Sequence, residues 1–354
     1  MSRQVIIIGA GQAGLSTAYH LQQLGIKALI VDAHARVGDV WRNRWDSLCL
    51  FSPAKYSSLP GMPFPLPKLS LPTKNQVADY FEAYAKKFAF DLHLNTQIKA
   101  LRKTETHYEL ELESGVLKSK SVVVATGSFH TPRIPAFTED AEKGIVQLHV
   151  SKYKNPSDLQ DGPVLVVGTG ASGTQIASEI AQRQKVYLSG PDTPNMPRKK
   201  LGKDIYWWLY ATQAMNIKSH SWLGKRLLNN STGADALIGK SLKEIVSDNG
   251  LIRRGMLTGF ENGRPLFEGN EKAEDIRNIV WATGFKNDYS WIDLPVLNEN
   301  GEPKQFRGKA LGQNGLYFVG IKFMYRADSS NMGGVSRDAK WIASDLHSYF
   351  RKGN

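Results

Sequence analysis

The stretch Val5-Ile6-Ile7-Ile8-Gly9-Ala10-Gly11-Gln12-Ala13-Gly14 decides the architecture. Its four consecutive apolar residues have the length and character of a strand buried on both faces. Beyond the glycine-rich turn, Leu15, Ala18, Leu21 and Leu24 recur at helical spacing, and Gly25 offers a C-cap. Ala28–Val31 then reads as a second buried strand, closed by Asp32. Such a β-α-β unit is built to hold a dinucleotide. Gly9 permits the tight turn, Gly11 leaves the backbone bare for a diphosphate, and Gly14 lets helix and strand pack closely. Gln12 and Ala13 open the helix, whose positive end suits phosphate. Asp32, with Ala33 beside it, lies eighteen residues beyond Gly14 and can accept hydrogen bonds from a ribose.

The same device recurs. Val164–Val167 is a strand, Gly168-Thr169-Gly170-Ala171-Ser172-Gly173 is a second glycine loop, residues 172–182 form a helix and Lys185–Ser189 another strand. Two loops about 160 residues apart imply two dinucleotides, one held permanently and one exchanged. In the second unit Ser189 takes the place of Asp32. A carboxylate there would repel a 2′-phosphate, so its absence favours NADPH, while Asp192 close by keeps NADH open. Arg198, Lys199 and Lys200 either pair with that phosphate or are solvated loop charges.

The whole chain is consistent with this reading. Its 354 residues suffice for two domains, and 41% hydrophobic with 22% charged residues is ordinary globular composition. The longest apolar runs are of strand length, far short of the ~20 residues of a membrane span. The N-terminal residues enter a strand at once, with no room for a signal peptide. One cysteine, Cys49, excludes an internal disulfide and any two-cysteine metal site, and no His/Cys/acid cluster suggests a metal. A cytoplasmic location is expected. The net charge of +12 is spread along the chain without a zinc-finger or RNA-binding signature, so no nucleic acid partner is expected. Oligomeric state, homodimer included, is left open.

Between the units, residues 52–72 carry six prolines and read as a loop, followed by a helix from about Lys74 to Phe88. Residues 107–113 and 117–124 form an antiparallel ribbon turned at Ser114-Gly115. Residues 191–260 are less regular and include the aromatic run Ile205-Tyr206-Trp207-Trp208-Leu209-Tyr210. Short strands at Ile279–Ala282 and Leu316–Val319 and a helix from about Val335 to Phe350 close the chain.

Several further segments resemble, in order and spacing, the class B flavin-containing monooxygenases, above all their small CzcO-like and YUCCA-type members. Gly38-Asp39-Val40-Trp41 is similar to the family segment beside the flavin and its diphosphate. Trp45-Asp46-Ser47-Leu48 and Leu50-Phe51-Ser52-Pro53 resemble the segment that runs along the isoalloxazine. Val124-Ala125-Thr126-Gly127 and Trp281-Ala282-Thr283-Gly284-Phe285 resemble the paired A-T-G linkers between the nucleotide domains. Leu316–Gly320 is similar to the strand that returns to the flavin, and Gly333-Gly334 would set a positive helix end by its pyrimidine edge. The resemblance implies an α/β protein of two Rossmann-like domains: an FAD domain of residues 1–158 and 284–354, and an inserted NAD(P)H domain of residues 159–283. It also implies an enzyme that places one oxygen of O2 on a small substrate (sulfide, amine or ketone) through a flavin 4a-hydroperoxide. His149 and Tyr153 resemble the end of the family fingerprint, although Gly144 stands five rather than four residues before His149. A structural role for His149 is therefore preferred to proton transfer. Phe51 replaces a family asparagine that steadies the peroxide, which points to hydrogen peroxide leakage. Two alternatives are a disulfide reductase relaying through Cys49 and a redox sensor without turnover. The segments 205–210 and 51–65 are expected to wall the substrate site.

Overall fold

The computed structural model describes residues 3–129, 131–229, 236–273 and 275–352. The first apolar run forms β1 (Arg3–Ile8), the glycine turn leads into α1 (Gln12–Gln23), and β2 (Ala28–Val31) lies parallel to β1. Helix α2 (Lys74–Lys87) carries Val77, Tyr80, Phe81 and Tyr84 on its buried face and starts at a Thr73/Gln76 capping box. It is followed by β3 (Asp91–His93), β4 (Ala100–Lys103), β5 (Tyr108–Leu112) and the long β6 (Gly115–Val124). The ribbon expected around Ser114-Gly115 is β5–β6, with Leu112 opposite Gly115.

Val146–His149 (β7) belongs to the other sheet, with β8 (Val164–Val167), helix α3 (Ala171–Ile180) and β9 (Val186–Ser189). Helix α4 (Ile205–Ala211) lies in the irregular region, and β10 (Ile252–Arg254) and β11 (Asn278–Trp281) complete that sheet. The chain then returns to the first sheet as β12 (Leu316–Phe318) and ends in helix α5 (Val335–Lys352).

Among the described residues, the first sheet has nine strands. Its parallel part runs β12-β6-β1-β2-β3, extended by the short strands Lys309–Ala310 and Gln305–Phe306 and by β5 and β4. The second has five, all parallel, in the order β10-β9-β8-β11-β7. Each carries an apolar layer on both faces: Ile7, Leu15 and Ile342 on one side of the first and Ile6, Val122 and Phe318 on the other. This is the mixed α/β architecture of two Rossmann-like units. One strand lies apart from the expected division. The strand Val146–His149, expected in the first domain, pairs with β11 in the second sheet. Four residues of which only two are apolar send no hydrophobic signal, so sequence alone does not reveal this strand.

The chain crosses between units twice, and the crossings meet. Thr131–Pro132 and Phe285–Lys286 pair as a short antiparallel ribbon, and Thr283 Oγ1 donates to the Arg133 carbonyl.

Candidate functional site

Each glycine loop sits at the carboxyl end of the middle of its sheet, where open α/β sheets bind ligands. The loops superpose in detail. Gly9 N donates to the Val31 carbonyl and Gly168 N to the Ser189 carbonyl, both at 2.7 Å. A Cβ on Gly9 would lie 2.5 Å from the Ala125 oxygen, and one on Gly168 would lie 2.3 Å from the Ala282 oxygen. The first alanine of each A-T-G segment is therefore the floor beneath the first glycine of a loop. A Cβ on Gly14 would fall 1.9 Å from the Gly9 oxygen, and one on Gly173 the same distance from the Gly168 oxygen. The third glycines are demanded by packing within the protein. Gly11 differs: nothing lies within 4 Å of a Cβ built there. Packing within the protein does not demand a glycine there.

The helices behind the loops share a second property. Gly11 and Gly170 are their N-caps, with no side-chain cap and no acidic residue in the first turn. The N-termini of α2 and of Leu242–Asp248, by contrast, carry complete capping boxes. Uncapped amides aimed at an open cleft suit a diphosphate, by charge as well as geometry. The residues present thus fit two dinucleotides. Gln12, Ala13, Ala171 and Ser172 fall in those first turns, and Gln12 Nε2 reaches the Ser330 carbonyl at 3.4 Å.

Asp32 meets the first loop directly. Its Oδ2 accepts from Ala10 N at 2.7 Å, and its Oδ1 accepts from His34 N at 2.8 Å and lies 2.8 Å from His34 Nδ1. Burial pushes the Asp32 carboxyl up, but the His34 ring and the Ala10 and His34 amides outweigh it and hold it below its ordinary value. The hydrogen bond to Asp32 raises His34. Because the folded value of Asp32 is depressed, its contribution is present above the unfolded carboxylate pKa, about 3.9, and is lost as pH falls through the folded value. Thermal stability should therefore fall below about pH 4 by a component that Asp32→Asn removes. Thermal midpoints across that range measure it, and parallel profiles for both proteins would refute the linkage.

In the second unit, the register places Gly190, rather than Ser189, at the position matching Asp32, because Ser189 aligns with Val31. Ser189 is buried and donates its hydroxyl to the Gly255 carbonyl. Thr169 Oγ1 donates to the Pro191 carbonyl and accepts from Thr193 Oγ1. Arg198 is engaged elsewhere: its Nε lies 2.9 Å from Asp204 and its Nη1 donates to the Phe51 carbonyl at 2.5 Å. Lys199 is exposed on a hairpin with Lys203–Asp204.

The remaining candidates separate into two groups. Gly320 lies against the first loop, since a Cβ there would come within 2.8 Å of Ala13 Cβ. Gly333 faces the Tyr56 carbonyl at 2.3 Å and Gly334 the Asp328 carbonyl at 2.1 Å, measured from the same construction. Trp41 and Leu50 pack on the first core. Gly38, at φ +90°, is required by helix α2, for its Cβ would sit 2.6 Å from the Ala78 oxygen. Asp39 bonds Arg36 N and the Arg42 guanidinium. Trp45 is buried in one core with Val150, Tyr153 and Val166. The segment around it docks there because Asp46 N donates to the Lys154 carbonyl. Ser52 Oγ pairs with Ser57 Oγ at 2.9 Å, and Phe51 is half exposed. His149 is buried with both ring nitrogens engaged, Nε2 with the Gly284 carbonyl and Nδ1 with Ser151, each at 3.0 Å. Burial, ahead of the nearby Arg44 charge, lowers its pKa.

Two features escaped the sequence reading. Arg44 lies over Phe129 and Phe285, 5.7 and 5.1 Å from their ring centres, at the linker between units. Asp328 and Asp338 are buried and pair with Arg337 and Arg326, and Arg337 also bonds Asn216. No local pattern announces either, because the partners are distant in sequence or follow no helical spacing.

With this geometry in place, comparisons identify the kinship. The family described as pyridine nucleotide-disulphide oxidoreductase matches residues 6–221. An uncharacterized CzcO-like oxidoreductase from Geobacillus kaustophilus is 42% identical, covering 97% of each chain. The chain belongs to the pyridine nucleotide-disulphide oxidoreductase family. Within that family the kinship drawn from its motifs, with class B flavin monooxygenases of the CzcO-like and YUCCA kinds, is borne out. Indole-3-pyruvate monooxygenase YUCCA1 from Oryza sativa subsp. japonica is 27% identical over 98% of this chain and 92% of its own. A flavin-containing monooxygenase from Stenotrophomonas maltophilia shares the fold with a TM-score of 0.78, at 23% identity over 99% of both chains. Like other members of the family, this protein is an oxidoreductase. Among the described residues, no helix is long and apolar enough to cross a membrane, and no group of three or more His, Cys, Asp or Glu could hold a metal.

Proposed function

We propose that the protein is an FAD-dependent monooxygenase that consumes NADPH and places one atom of O2 on a small organic substrate. The observation that carries this reading is the pair of matched loops, each ending in an uncapped helix and each floored by an A-T-G alanine. A flavin, when bound, supplies hydride acceptance and oxygen activation. The chain's part is to bind, orient and exclude water. Gly9–Gly14 and Asp32 would hold the FAD diphosphate and ribose, with Ala125–Gly127, Gly320 and Gly333-Gly334 around it. Gly168–Gly173 and Thr283-Gly284 would hold the coenzyme. The flavin unit would comprise residues 1–158 and 284–354, less β7, and the coenzyme unit 159–283 with β7.

The substrate wall has support as well. Tyr56 stacks on Tyr210 at 4.9 Å and on Tyr206 at 5.7 Å, while Arg198 ties α4's base to Phe51. Segments 205–210 and 51–65 therefore close on one another beside Gly333, the arrangement needed to keep water from a reactive centre.

The purified protein should be yellow and should bleach anaerobically with NADPH. Readmitted air and a panel of sulfides, amines and ketones then give product and the NADPH-to-product ratio. Yellow protein that never bleaches would support a sensor. Cys49, a free and partly buried thiol, tests the reductase alternative. Cys49→Ser should leave NADPH-driven oxygen uptake within about twofold, as expected for a site away from buried networks. Loss of turnover with flavin retained would favour the reductase.

A further inference from the structure

The segments that close on one another beside Gly333 have an outer edge with a character of its own. Lys199–Lys200 and Lys203–Asp204 form a hairpin whose two-residue tip is Leu201-Gly202. Both tip residues have positive φ, +49° and +73°, the kind of turn that Asn-Gly fills most readily. The backbone there disfavours leucine, and the Leu201 side chain is 82% exposed. Packing within the protein explains neither cost. Helix α4 follows at once, and Trp208 Nε1 donates to the Lys200 carbonyl at 2.8 Å, which seats the hairpin on the helix. Lys203 lies 5.9 Å from the ring centre of the exposed Trp207.

The other segment continues this edge. Arg198 Nη1 joins the base of the hairpin to the Phe51 carbonyl. Lys55 N and Ala54 N donate to the Lys68 and Ser70 carbonyls, and Leu69 between those two residues is 64% exposed. Tyr56 is taken up in stacking on Tyr206 and Tyr210, whereas Phe51, Leu69, Leu71, Leu201 and Trp207 remain exposed. The charges among them are of one sign. Lys55, Lys68, Lys199, Lys200 and Lys203 are all exposed. Within residues 47–72 and 198–210 the only acid is Asp204, which is paired with Arg198 and has a side chain 9% exposed.

We propose that this edge docks the protein on the surface of an anionic lipid bilayer, with Leu69 and Leu201 entering the headgroup layer and the lysines meeting its charge. An apolar tip flanked by lysines can bury its leucine while the ammonium groups, on long stems, stay in water. A second copy of this chain fits less well, because a twofold interface would set these lysines against one another. The contact is with the bilayer surface, since the apolar groups stand on separate loops and no described helix could span it. Such docking goes beyond the proposed reaction and does not depend on it.

The test is flotation of FAD-loaded full-length protein with two kinds of vesicle, phosphatidylcholine alone and phosphatidylcholine with phosphatidylglycerol in equal parts. At about 0.1 M salt, where charges act over about 10 Å, the mixed vesicles should bind at least about tenfold tighter, and about 1 M salt should remove the preference. Lys68→Glu with Lys203→Glu should weaken binding by more than about tenfold, since each lysine near such a surface contributes about fivefold. Leu69→Ser with Leu201→Ser should weaken it by about tenfold and leave the salt dependence in place. Flavin absorbance and thermal midpoint show whether each variant is folded, and either pair suffices if the other is not. Absence of binding to the mixed vesicles, equal binding to both kinds, or binding unchanged in both double variants would overturn the proposal. Sedimentation velocity without lipid reads the other occupant: a dimer that the serine pair dissociates would assign the edge to a second copy instead. Vesicle binding needs no turnover, so a protein that NADPH never bleaches would fail as a monooxygenase and still float with the mixed vesicles.

Discussion

Gly11→Ala is expected to yield a folded but colourless protein. Gly11 sits at φ −81°, a conformation open to any residue, and the added methyl would touch nothing in the protein. The substitution is therefore neutral for the apoprotein by strain and by space. Its methyl would instead occupy the approach of the diphosphate to the bare amides of α1. Loss of one or two charge-assisted hydrogen bonds there corresponds to about 3 kcal/mol, or about a hundredfold in flavin affinity. The check is the flavin-to-protein absorbance ratio with circular dichroism on the same sample. Full flavin content in the variant would refute the placement of FAD. Gly170→Ala, at φ −72°, is the counterpart in the second loop and should give a yellow protein that NADPH no longer bleaches.

Gly173→Ala, three residues further along, should behave in the opposite way. Its methyl would fall 1.9 Å from the Gly168 oxygen and 3.1 Å from Ala282 Cβ, so helix α3 must back away from β8 and β11. Overpacking commonly costs about 1–3 kcal/mol, and a clash this close to the Gly168 backbone, with the Ala282 Cβ behind it, should exceed about 3 kcal/mol. The expected result is a marked drop in thermal midpoint and in soluble yield before any ligand is added. A variant as stable as the parent would mean that the loop is looser than drawn. Two glycines of one motif thus fail differently, one in binding and one in folding.

That contrast bears on what the sequence made legible. The apolar runs Val5–Ile8 and Val164–Val167 and the glycines after them stood out because buried parallel strands and bare turns leave strong local marks. Asp32 followed from them by spacing. The position matching Asp32 shifts by one residue, from Ser189 to Gly190, since the two look alike to a hydrophobicity reading and only the hydrogen bond from Gly168 fixes the frame. Trp45 is placed beside the flavin by resemblance alone, and nothing local in the sequence announces its packing with Val150, Tyr153 and Val166.

The paired crossing of the chain at Thr131–Pro132 and Phe285–Lys286 has a mechanical outcome. Two peptide plies laminated by hydrogen bonds bend easily across their flat side and poorly in their own plane. The second unit should therefore swing about a single axis, like a door on a strap, rather than wobble or swivel. Arg44, lying over the paired rings of Phe129 and Phe285 beside these plies, sits where such a pivot would be stiffened.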